Sequence, residues 1–211
     1  MRIGIFGGSF NPVHHGHVKI ALQAVERFEL DKLIVVPAFE SPFKKGSSSV
    51  DVPWDRSEMV EDAFSSFDKI EIDYRELKRM GVSYAIDPVR EISAENPGAE
   101  LYFLTGEDCV ADLPKWKSYD ELVRLCTFVS LPRTKESSTE IRELFLSNDV
   151  VLNSDAKVVE AVKSGLRRKR GFCPCRLNTT PENFCPCDEF KAQIKDASFH
   201  GLCHCRLYFK P

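Results

Sequence analysis

Long apolar runs are missing from this chain of 211 residues. No stretch reaches eighteen consecutive apolar residues, and the opening MRIGIF has no charged segment followed by a long apolar one. A membrane-spanning helix and a secretory leader are therefore not expected. Internal repeats and low-complexity segments are also missing, whereas 43% hydrophobic residues can form a real core. The sequence predicts a folded, cytoplasmic protein with no membrane partner.

A strong excess of charge of one sign is lacking as well. The formal net charge is −3. From residue 148 onward there are 11 Lys+Arg against 7 Asp+Glu, a net +4, and the preceding residues have 18 against 25, a net −7. The chain therefore has an acidic front and a basic tail, and we expect no nucleic-acid partner.

Cysteine is scarce in the first 172 residues, where only Cys109 and Cys126 occur, and six more follow in the last part of the chain. We expect the two isolated cysteines to be buried packing residues. Structural disulfides are uncommon in cytoplasmic proteins, so the clustered cysteines are expected to bind metal or perform redox chemistry.

Strand-like segments alternate with helical patterns in the front part of the chain. Their order predicts an α/β protein with a doubly wound, Rossmann-like parallel sheet, whose ligands sit at the carboxyl ends of the strands. In the first helical pattern, Val18, Ala21, Leu22 and Val25 form one apolar stripe. The five predicted strands are RIGIF, KLIVVP, KIEI, ELYFLTG and CTFVSLP.

Small polar residues interrupt this pattern at SNDVVLNSD, which predicts a linker. We therefore predict two domains, residues 1–147 and residues 148–211. The second begins with an amphipathic helix in DAKVVEAVKSGLRRK and is expected to be small and mainly helical.

The string GGSFNPVHHGH joins the first predicted strand to the first predicted helix. Gly7 and Gly8 allow a tight turn and a close approach of the backbone to a phosphate. His14 and His17 lie at a helix N-terminus, whose free N–H groups attract anions. Two imidazoles and a helix dipole at one place are suited to a polyphosphate ligand.

The chain resembles the HxGH nucleotidyltransferase superfamily, most closely the bacterial nicotinate/nicotinamide mononucleotide adenylyltransferases, over residues 1–146. A second signature of that superfamily is present as SSTEIR. The resemblance implies that the mononucleotide phosphate attacks the α-phosphorus of ATP and releases pyrophosphate, with Mg²⁺ bridging the ATP phosphates. Such catalysis consists mainly of positioning and charge neutralisation.

The resemblance also implies roles for individual residues. His14, His17 and Arg142 would be catalytic and would hold the ATP phosphates, and Trp116 would lie near the pyridine ring. The remaining residues expected to bind ATP or the mononucleotide are Gly7, Gly8, Ser9, Phe10, Lys44, Gly106, Asp108, Ser137, Ser138 and Thr139.

Three features depart from the family pattern. Phe43 replaces a histidine, Ala85 and Pro88 stand where a threonine hydroxyl is common, and only three residues separate Arg133 from Ser137. These departures concern the mononucleotide half of the site. Another phosphorylated acceptor is therefore an alternative substrate, and a shortened front domain that only binds ligands is a second alternative.

The tail contains three closely spaced cysteine pairs, CPC, CPC and CHC. Four thiolates can hold a zinc ion or a 4Fe-4S cluster, and two would remain for a disulfide or a free pair. The spacing leaves both metals open, including a structural zinc tail that binds a partner protein.

The residues around these motifs resemble the catalytic subunit of ferredoxin:thioredoxin reductase over residues 150–211. This resemblance implies that Cys173, Cys185, Cys187 and Cys203 ligate a 4Fe-4S cluster. It also implies a redox-active disulfide between Cys175 and Cys205, with His204 assisting its cleavage. Ferredoxin and thioredoxin, or a similar protein disulfide, would be partners, and the tail would be a separate reductase or a redox sensor of the front domain.

Overall fold

The computed structural model describes residues 1–43, 52–132 and 134–211. All five predicted strands are present, and three short strands follow in the tail. The strands are β1 (Arg2–Gly8), β2 (Lys32–Pro37), β3 (Ile70–Ile72), β4 (Glu100–Gly106), β5 (Thr127–Leu131), β6 (Val151–Leu152), β7 (Gly201–Leu202) and β8 (Tyr208–Lys210).

Eight α-helices are found in the described ranges, and the first and the seventh lie where the two helical patterns described above predict them. They are α1 (His15–Arg27), α2 (Arg56–Phe64), α3 (Arg75–Arg79), α4 (Ile86–Glu95), α5 (Tyr119–Leu125), α6 (Ser138–Leu146), α7 (Ala156–Arg168) and α8 (Asp188–Lys195). Two 3-10 helices, Glu107–Lys115 and Pro181–Asn183, complete the secondary structure that the structure describes.

The chain forms two compact units, each assembled from several segments. Unit 1 comprises the described residues of Met1–Ser9, Gly16–Val50 and Phe67–Lys135. Unit 2 comprises the described residues of Phe10–His15, Asp51–Ser66 and Glu136–Pro211. The predicted boundary between residues 147 and 148 divides the sequence once, whereas each of these units consists of three separate segments of the chain. Unit 2 therefore contains the middle of the GGSFNPVHHGH string, residues 10–15, and the whole of α2.

Unit 1 is built on a five-stranded sheet in the order β3-β2-β1-β4-β5, and every neighbouring pair is parallel. β1 is the central strand, with Ile5 opposite both Ile34 of β2 and Phe103 of β4. The connections run in opposite directions from β1, so β1 and β4 form the switch point of a doubly wound sheet. The predicted fold class is thus confirmed for this part of the chain.

The apolar stripe predicted for α1 is shifted in the structure. Val18, Ala21 and Ala24 are buried, whereas Leu22 is 39% exposed. Ala21 and Ala24 are fully buried, so their side of α1 faces the interior, and Leu22 lies toward solvent. The sequence pattern located the helix correctly but was wrong about Leu22.

Unit 2 has one aromatic core and a small antiparallel sheet in the order β6-β8-β7. Phe145 is at the centre of this core and makes edge-on ring contacts with Trp54, Phe190 and Tyr208, at centroid distances of 5.2, 5.9 and 5.1 Å. α2 packs on α7 through ion pairs of Lys163 with Glu58 and of Arg167 with Asp62.

The segment predicted as a linker is part of this unit. Val151 and Leu152 form β6, which pairs with Phe209 and Tyr208 of β8, and Val150 is buried. The small polar residues around them predicted a break, but the apolar pair between those residues completes the sheet edge. No helix in the ranges that the structure describes is long and apolar enough to cross a membrane.

Candidate active site

A cavity of about 680 Å³ opens in unit 1 at the carboxyl ends of β1 and β4. These are the two strands at the switch point, where doubly wound sheets bind their ligands. Thr105 of β4 is buried beside the cavity, and the 3-10 helix Glu107–Lys115 lines one side of it. Six of the residues predicted to bind ATP or the mononucleotide line this cavity: Gly7, Gly8, Ser9, Gly106, Asp108 and Trp116.

Gly7 and Gly8 lie in the extended end of β1, so the predicted tight turn at these glycines is wrong. The left-handed backbone conformation in this segment occurs at Phe10, whose φ is 44°. A Cβ atom at Gly7 would lie 3.3 Å from the ring of Phe103. Any larger residue there would crowd Phe103 of the neighbouring strand, and the glycine backbone lines the cavity without a side chain in the way.

His17 is half-buried on α1 of unit 1, and its ring centroid lies 6.2 Å from that of Phe6, which lines the cavity. Cys109 also lines the cavity and is half-exposed, so the expectation that it is a buried packing residue is wrong. Cys126 is buried as expected, and burial raises the pKa of its thiol to about 12.

The departures from the family pattern also fall on this cavity. Phe43, Ala85 and Pro88 are among its lining residues. Phe43 is 61% exposed, and its ring centroid lies 6.3 Å from that of Trp116. The predicted ligand-binding residue Lys44 and the departure at Arg133 lie outside the described residues.

In unit 2, the loop 10–15 is joined to the N-terminal turn of α6. The hydroxyl of Ser138 donates a hydrogen bond of 2.8 Å to the carbonyl of Pro12, and the Arg142 guanidinium donates one of 2.9 Å to the carbonyl of Asn11. Ser137 is the N-cap of α6 and accepts from the N–H of Glu140 at 3.3 Å. Thr139 follows in the first turn and is half-buried.

These contacts bring the two signatures of the sequence together, because Ser138 and Arg142 belong to SSTEIR and Pro12 and Asn11 to GGSFNPVHHGH. The Arg142 guanidinium therefore has a structural hydrogen bond to the Asn11 carbonyl in addition to its predicted role with phosphates.

Phe10 was predicted to contact the substrate, but its side chain is only 2% exposed. Its ring packs edge-on against Phe64 of α2, with centroids 6.3 Å apart. That prediction is wrong for the side chain, because a fully packed ring cannot reach a ligand. His14 is also buried, at 8% exposure.

Asn11 and His15 are features of this loop that the sequence did not single out. The Asn11 side chain is buried and accepts a 2.9 Å hydrogen bond from the indole N–H of Trp54. The ring of His15 contacts Phe172 and Phe184 at centroid distances of 5.9 and 6.2 Å, and its Nδ1 lies 3.8 Å from Glu136. No local pattern could indicate these contacts, since the partners are more than forty residues apart.

The tail cysteines converge in the core of unit 2. Cys173, Cys185, Cys187, Cys203 and Cys205 are all buried in the cluster that contains Phe190 and Tyr208. Cys175 and His204 are exposed. The Sγ atoms of Cys203 and Cys205 are 3.6 Å apart, and the backbone N–H of Tyr208 donates to Cys203 at 3.3 Å.

The thiols influence one another's ionisation. A hydrogen bond from Cys205 lowers the pKa of Cys173 and of Cys203 to about 6 in each case, against the effect of burial. Burial raises the pKa of Cys187, and the like charges of Cys173 and Cys203 add to this effect.

Cys185 is one of the five buried thiols of this core, with 5% exposure. Its pKa is raised well above the ordinary value by burial and by the charges of Cys203, Cys187 and Cys173. The six thiols are therefore close enough to repel one another's ionised forms.

All eight cysteines lie within the described residues and have free thiols. The predicted disulfide between Cys175 and Cys205 is not formed, and Cys205 contacts Cys203 and Cys173 instead. Within the described ranges, no group of three or more His, Cys, Asp or Glu side chains is arranged to hold a metal ion.

Comparison with known proteins finds relatives for the front part of the chain. Residues 5–163 match the cytidylyltransferase-like family. A relative from Synechococcus sp. (strain JA-3-3Ab), named "Probable nicotinate-nucleotide adenylyltransferase", is 40% identical over 63% of this chain and 63% of its own length. A relative of the same name from Listeria monocytogenes serovar 1/2a is 36% identical over 67% of this chain and 84% of its own length.

The aligned region is shorter than several of these relatives. It spans 63% of the length of the Synechococcus protein and 63% of that of a relative from Streptococcus mutans. Among solved structures, one similar to this chain is nicotinic acid mononucleotide adenylyltransferase from Plasmodium falciparum in complex with NaAD. The similarity covers 68% of this chain and 83% of the Plasmodium chain. The TM-score is 0.50 at 16% identity, which supports the fold alone.

A structure from Vibrio parahaemolyticus assigned to the same enzyme gives a TM-score of 0.56 at 22% identity, covering 70% of this chain and 88% of that one. The parallel sheet, the cavity at its switch point and the match over residues 5–163 agree with one another. The chain belongs to the cytidylyltransferase-like family, among the relatives of the nicotinate-nucleotide adenylyltransferases.

Proposed function

We propose that the protein transfers AMP from ATP to nicotinate mononucleotide, or to nicotinamide mononucleotide, in NAD biosynthesis. The observation that carries this proposal is the cavity at the switch point of the sheet, because six of the expected substrate-binding residues line it. The names of the relatives from Synechococcus and Listeria support the nicotinate form of the acceptor.

The reaction is an in-line displacement at the α-phosphorus of ATP. An oxygen of the mononucleotide phosphate forms the new bond, the bond from that phosphorus to the bridging oxygen breaks, and pyrophosphate leaves. No side chain needs to form a covalent bond, so the protein contributes position and positive charge. His14 and His17 would donate to the phosphate oxygens on which charge accumulates.

Arg142 and Ser138 contribute to this chemistry through the backbone of the signature loop. Their hydrogen bonds to the carbonyls of Asn11 and Pro12 fix the chain immediately before His14. The free N–H groups at the start of α6, near Ser137 and Thr139, would attract the negative β- and γ-phosphates. Mg²⁺, held mainly by the ATP phosphates themselves, would neutralise part of their charge.

The test is product analysis with ATP, Mg²⁺ and a panel of phosphorylated acceptors. We expect dinucleotide and pyrophosphate in equal amounts with one of the two pyridine mononucleotides. Replacing His17 with Ala should lower kcat by about a hundredfold, the usual effect of removing a donor to the transferred group. Unchanged product formation in this variant would indicate that the site is not catalytic, and product only with another phosphorylated acceptor would assign a different substrate.

A second function is proposed for the tail. We infer that Cys173, Cys185, Cys187 and Cys203 hold a 4Fe-4S cluster beside Cys175 and Cys205, as in ferredoxin:thioredoxin reductase. The supporting observation is the burial of five of the six thiols in one aromatic core. Thiolate ligands suit iron-sulfur chemistry, and a bound cation would counteract the burial and the like charges of neighbouring thiols that raise the pKa values of Cys185 and Cys187.

A bound cluster would supply one-electron transfer. The chain's own residues would then provide an exposed thiol at Cys175, open to a protein disulfide, and an exposed imidazole at His204 that can carry a proton. Ferredoxin as electron donor and thioredoxin as acceptor are part of this proposal.

Metal analysis of protein purified without oxygen tests the tail. About four irons and four acid-labile sulfides per chain are expected for the cluster. One zinc without sulfide would contradict the reductase proposal and favour a structural tail that binds a partner. Replacing Cys126, a buried thiol of unit 1, with Ala provides the matched control, because it should leave the metal content unchanged.

A further inference from the structure

One end of the cavity in unit 1 is aromatic. Trp116 is contacted by Phe43, and the ring of Phe103 stands nearly perpendicular to its indole, at 86° with centroids 5.7 Å apart. Tyr84 lines the same cavity and is half-buried. Flat aromatic faces of this kind suit a planar heterocyclic ring, which can be bound in a stacked or an edge-on arrangement.

The charged side chains around the cavity differ in whether they form an ion pair. Lys115 forms a 2.6 Å ion pair with Asp112, and Glu76 is paired with Arg79. Lys117 is the other lysine that lines the cavity in the described part of the chain, and its ammonium lies 4.1 Å from the centroid of the Tyr84 ring. Within the residues that the structure describes, Lys117 has no carboxylate partner.

A cation held over an aromatic face keeps part of its hydrogen-bonding capacity. The lysine ammonium has three N–H donors, and the electrons of the ring attract the charge without neutralising it. The ammonium of Lys117 is therefore both placed at the aromatic end of the cavity and able to bind an anion there. Lys117 also follows Trp116 directly in sequence, and both residues line the cavity.

We propose that Lys117 makes the cavity select acceptors whose aromatic ring carries a carboxylate over those whose ring carries a neutral amide. This inference rests on the proposed adenylyltransferase function and assigns the choice between its two acceptors to one residue. A carboxylate gains a charge-assisted hydrogen bond from the ammonium, whereas an amide oxygen gains only an ordinary one. Lys117 is thus a specificity-determining residue for the acceptor.

The experiment compares nicotinate mononucleotide with nicotinamide mononucleotide in the full-length wild type and in Lys117→Gln. Both kcat/KM with saturating ATP and the Kd from calorimetry are measured for each acceptor. The substitution should reduce kcat/KM for the nicotinate form about fivefold through KM, because the site is exposed to solvent. The value for the nicotinamide form should change less than twofold, and Lys117→Arg should keep most of the wild-type preference.

Lys115→Gln is the matched control, since Lys115 lines the same cavity but is paired with Asp112. It should leave the ratio of the two acceptors within twofold of the wild type. Tyr84→Phe keeps the ring face and should keep the preference, whereas Tyr84→Leu should weaken it.

The possible failures can be told apart. If Lys117→Gln lowers kcat/KM for both acceptors equally, or leaves the ratio unchanged in an active enzyme, the assignment to Lys117 is overturned and the proposed function stands. If the wild type neither binds nor adenylylates either acceptor, the proposed function fails, and this inference fails with it.

Discussion

At the scale of single residues, α7 packs tightly against the first cysteine pair of unit 2. Gly165 of α7 is buried, and an added Cβ atom would lie 2.6 Å from Cβ and 3.0 Å from Cγ of Pro174. Pro174 stands between Cys173 and Cys175, and its ring is fixed to the backbone, so it cannot rotate away. The absence of a side chain at Gly165 is therefore what allows CPC to lie against this helix.

We accordingly expect Gly165→Ala to destabilise the protein by about 1–3 kcal/mol, the usual cost of overpacking a core, although alanine is the better helix former. Urea unfolding measures this cost. Ser164→Ala is the matched control, because Ser164 is adjacent on the same helix and has a single exposed hydrogen bond with Arg168. Equal stability of the Gly165 variant and the wild type would show that the CPC segment can move away from α7 at little cost.

At the scale of elements, α2 and α7 are joined by the carboxyl group of Asp62, whose ionised form is disfavoured by burial. Burial raises the pKa of Asp62 to about 6, and the hydrogen bond and charge of Arg167 offset only part of this rise. The side chain of Asp62 is 6% exposed and that of Arg167 is 52% exposed, so the acid is far more desolvated than its partner.

This pKa predicts a pH dependence of stability. Asp62 binds its proton more tightly in the folded protein than in the unfolded chain, whose aspartate pKa is about 3.9. Its contribution to stability is therefore greatest at low pH and is lost as the pH rises through about 6. Between pH 7 and pH 5 the wild type should gain about 1 kcal/mol relative to Asp62→Asn.

Thermal unfolding of both proteins at several pH values checks this expectation. The difference in Tm between wild type and variant should shift in favour of the wild type as the pH falls. A difference that stays constant from pH 7 to pH 5 would show that Asp62 titrates near its ordinary value.

Two phenylalanine rings connect the cysteine core with the signature loop, residues 10–15. Phe172 and Phe184 each precede a buried cysteine, and both rings contact His15, which is next to His14. The two phenylalanines also contact each other, with ring centroids 5.3 Å apart. Movement at Cys173 or Cys185 would therefore be transmitted to the loop that the proposed mechanism uses to hold phosphates.

If the proposed adenylyl transfer uses this loop, Phe184→Leu should lower its kcat about threefold to tenfold, because small displacements of catalytic groups are costly. Initial rates at saturating substrates measure the effect. Phe209→Leu on β8 is the control, since Phe209 is 37% exposed. Equal rates in the Phe184 variant and the control would mean that the loop is held independently of the aromatic pair.

At the scale of the whole molecule, unit 2 depends on three separated segments of the chain. Its core contains Trp54 from the α2 region, Phe145 from α6, and Phe190 and Tyr208 from the tail. Removing residues 148–211 would leave Trp54 and Phe145 without most of their partners. The cost of exposing large aromatic side chains is several kcal/mol.

We therefore expect a chain shortened to residues 1–147 to aggregate or to unfold at a lower temperature than the full chain. Light scattering and thermal unfolding measure the two outcomes. A shortened chain that is monomeric and as stable as the full-length protein would show that residues 1–147 form an independent domain, as the sequence predicted.

The sequence predicted the sheet well because buried parallel strands consist of short apolar runs, and each of the five was distinct. It also predicted where the cavity would form, since doubly wound sheets place their ligands at the switch point. It did not reveal that residues 10–15 and α2 join the tail, because packing between segments a hundred residues apart leaves no local pattern. For the same reason Phe10 was taken for a contact residue, although its ring fills the space beside Phe64.

The segmented composition of unit 2 also affects how the protein is made. Residues 10–15 leave the ribosome early, but their hydrogen-bonding partners Ser138 and Arg142 and the ring partners Phe172 and Phe184 are synthesised more than a hundred residues later. The signature loop must wait for them while β1 and β2 on either side can already pair. During synthesis the nascent chain therefore has a formed sheet before the loop that we propose to bind phosphates is complete, and the proposed transfer activity should emerge only after the tail has been translated.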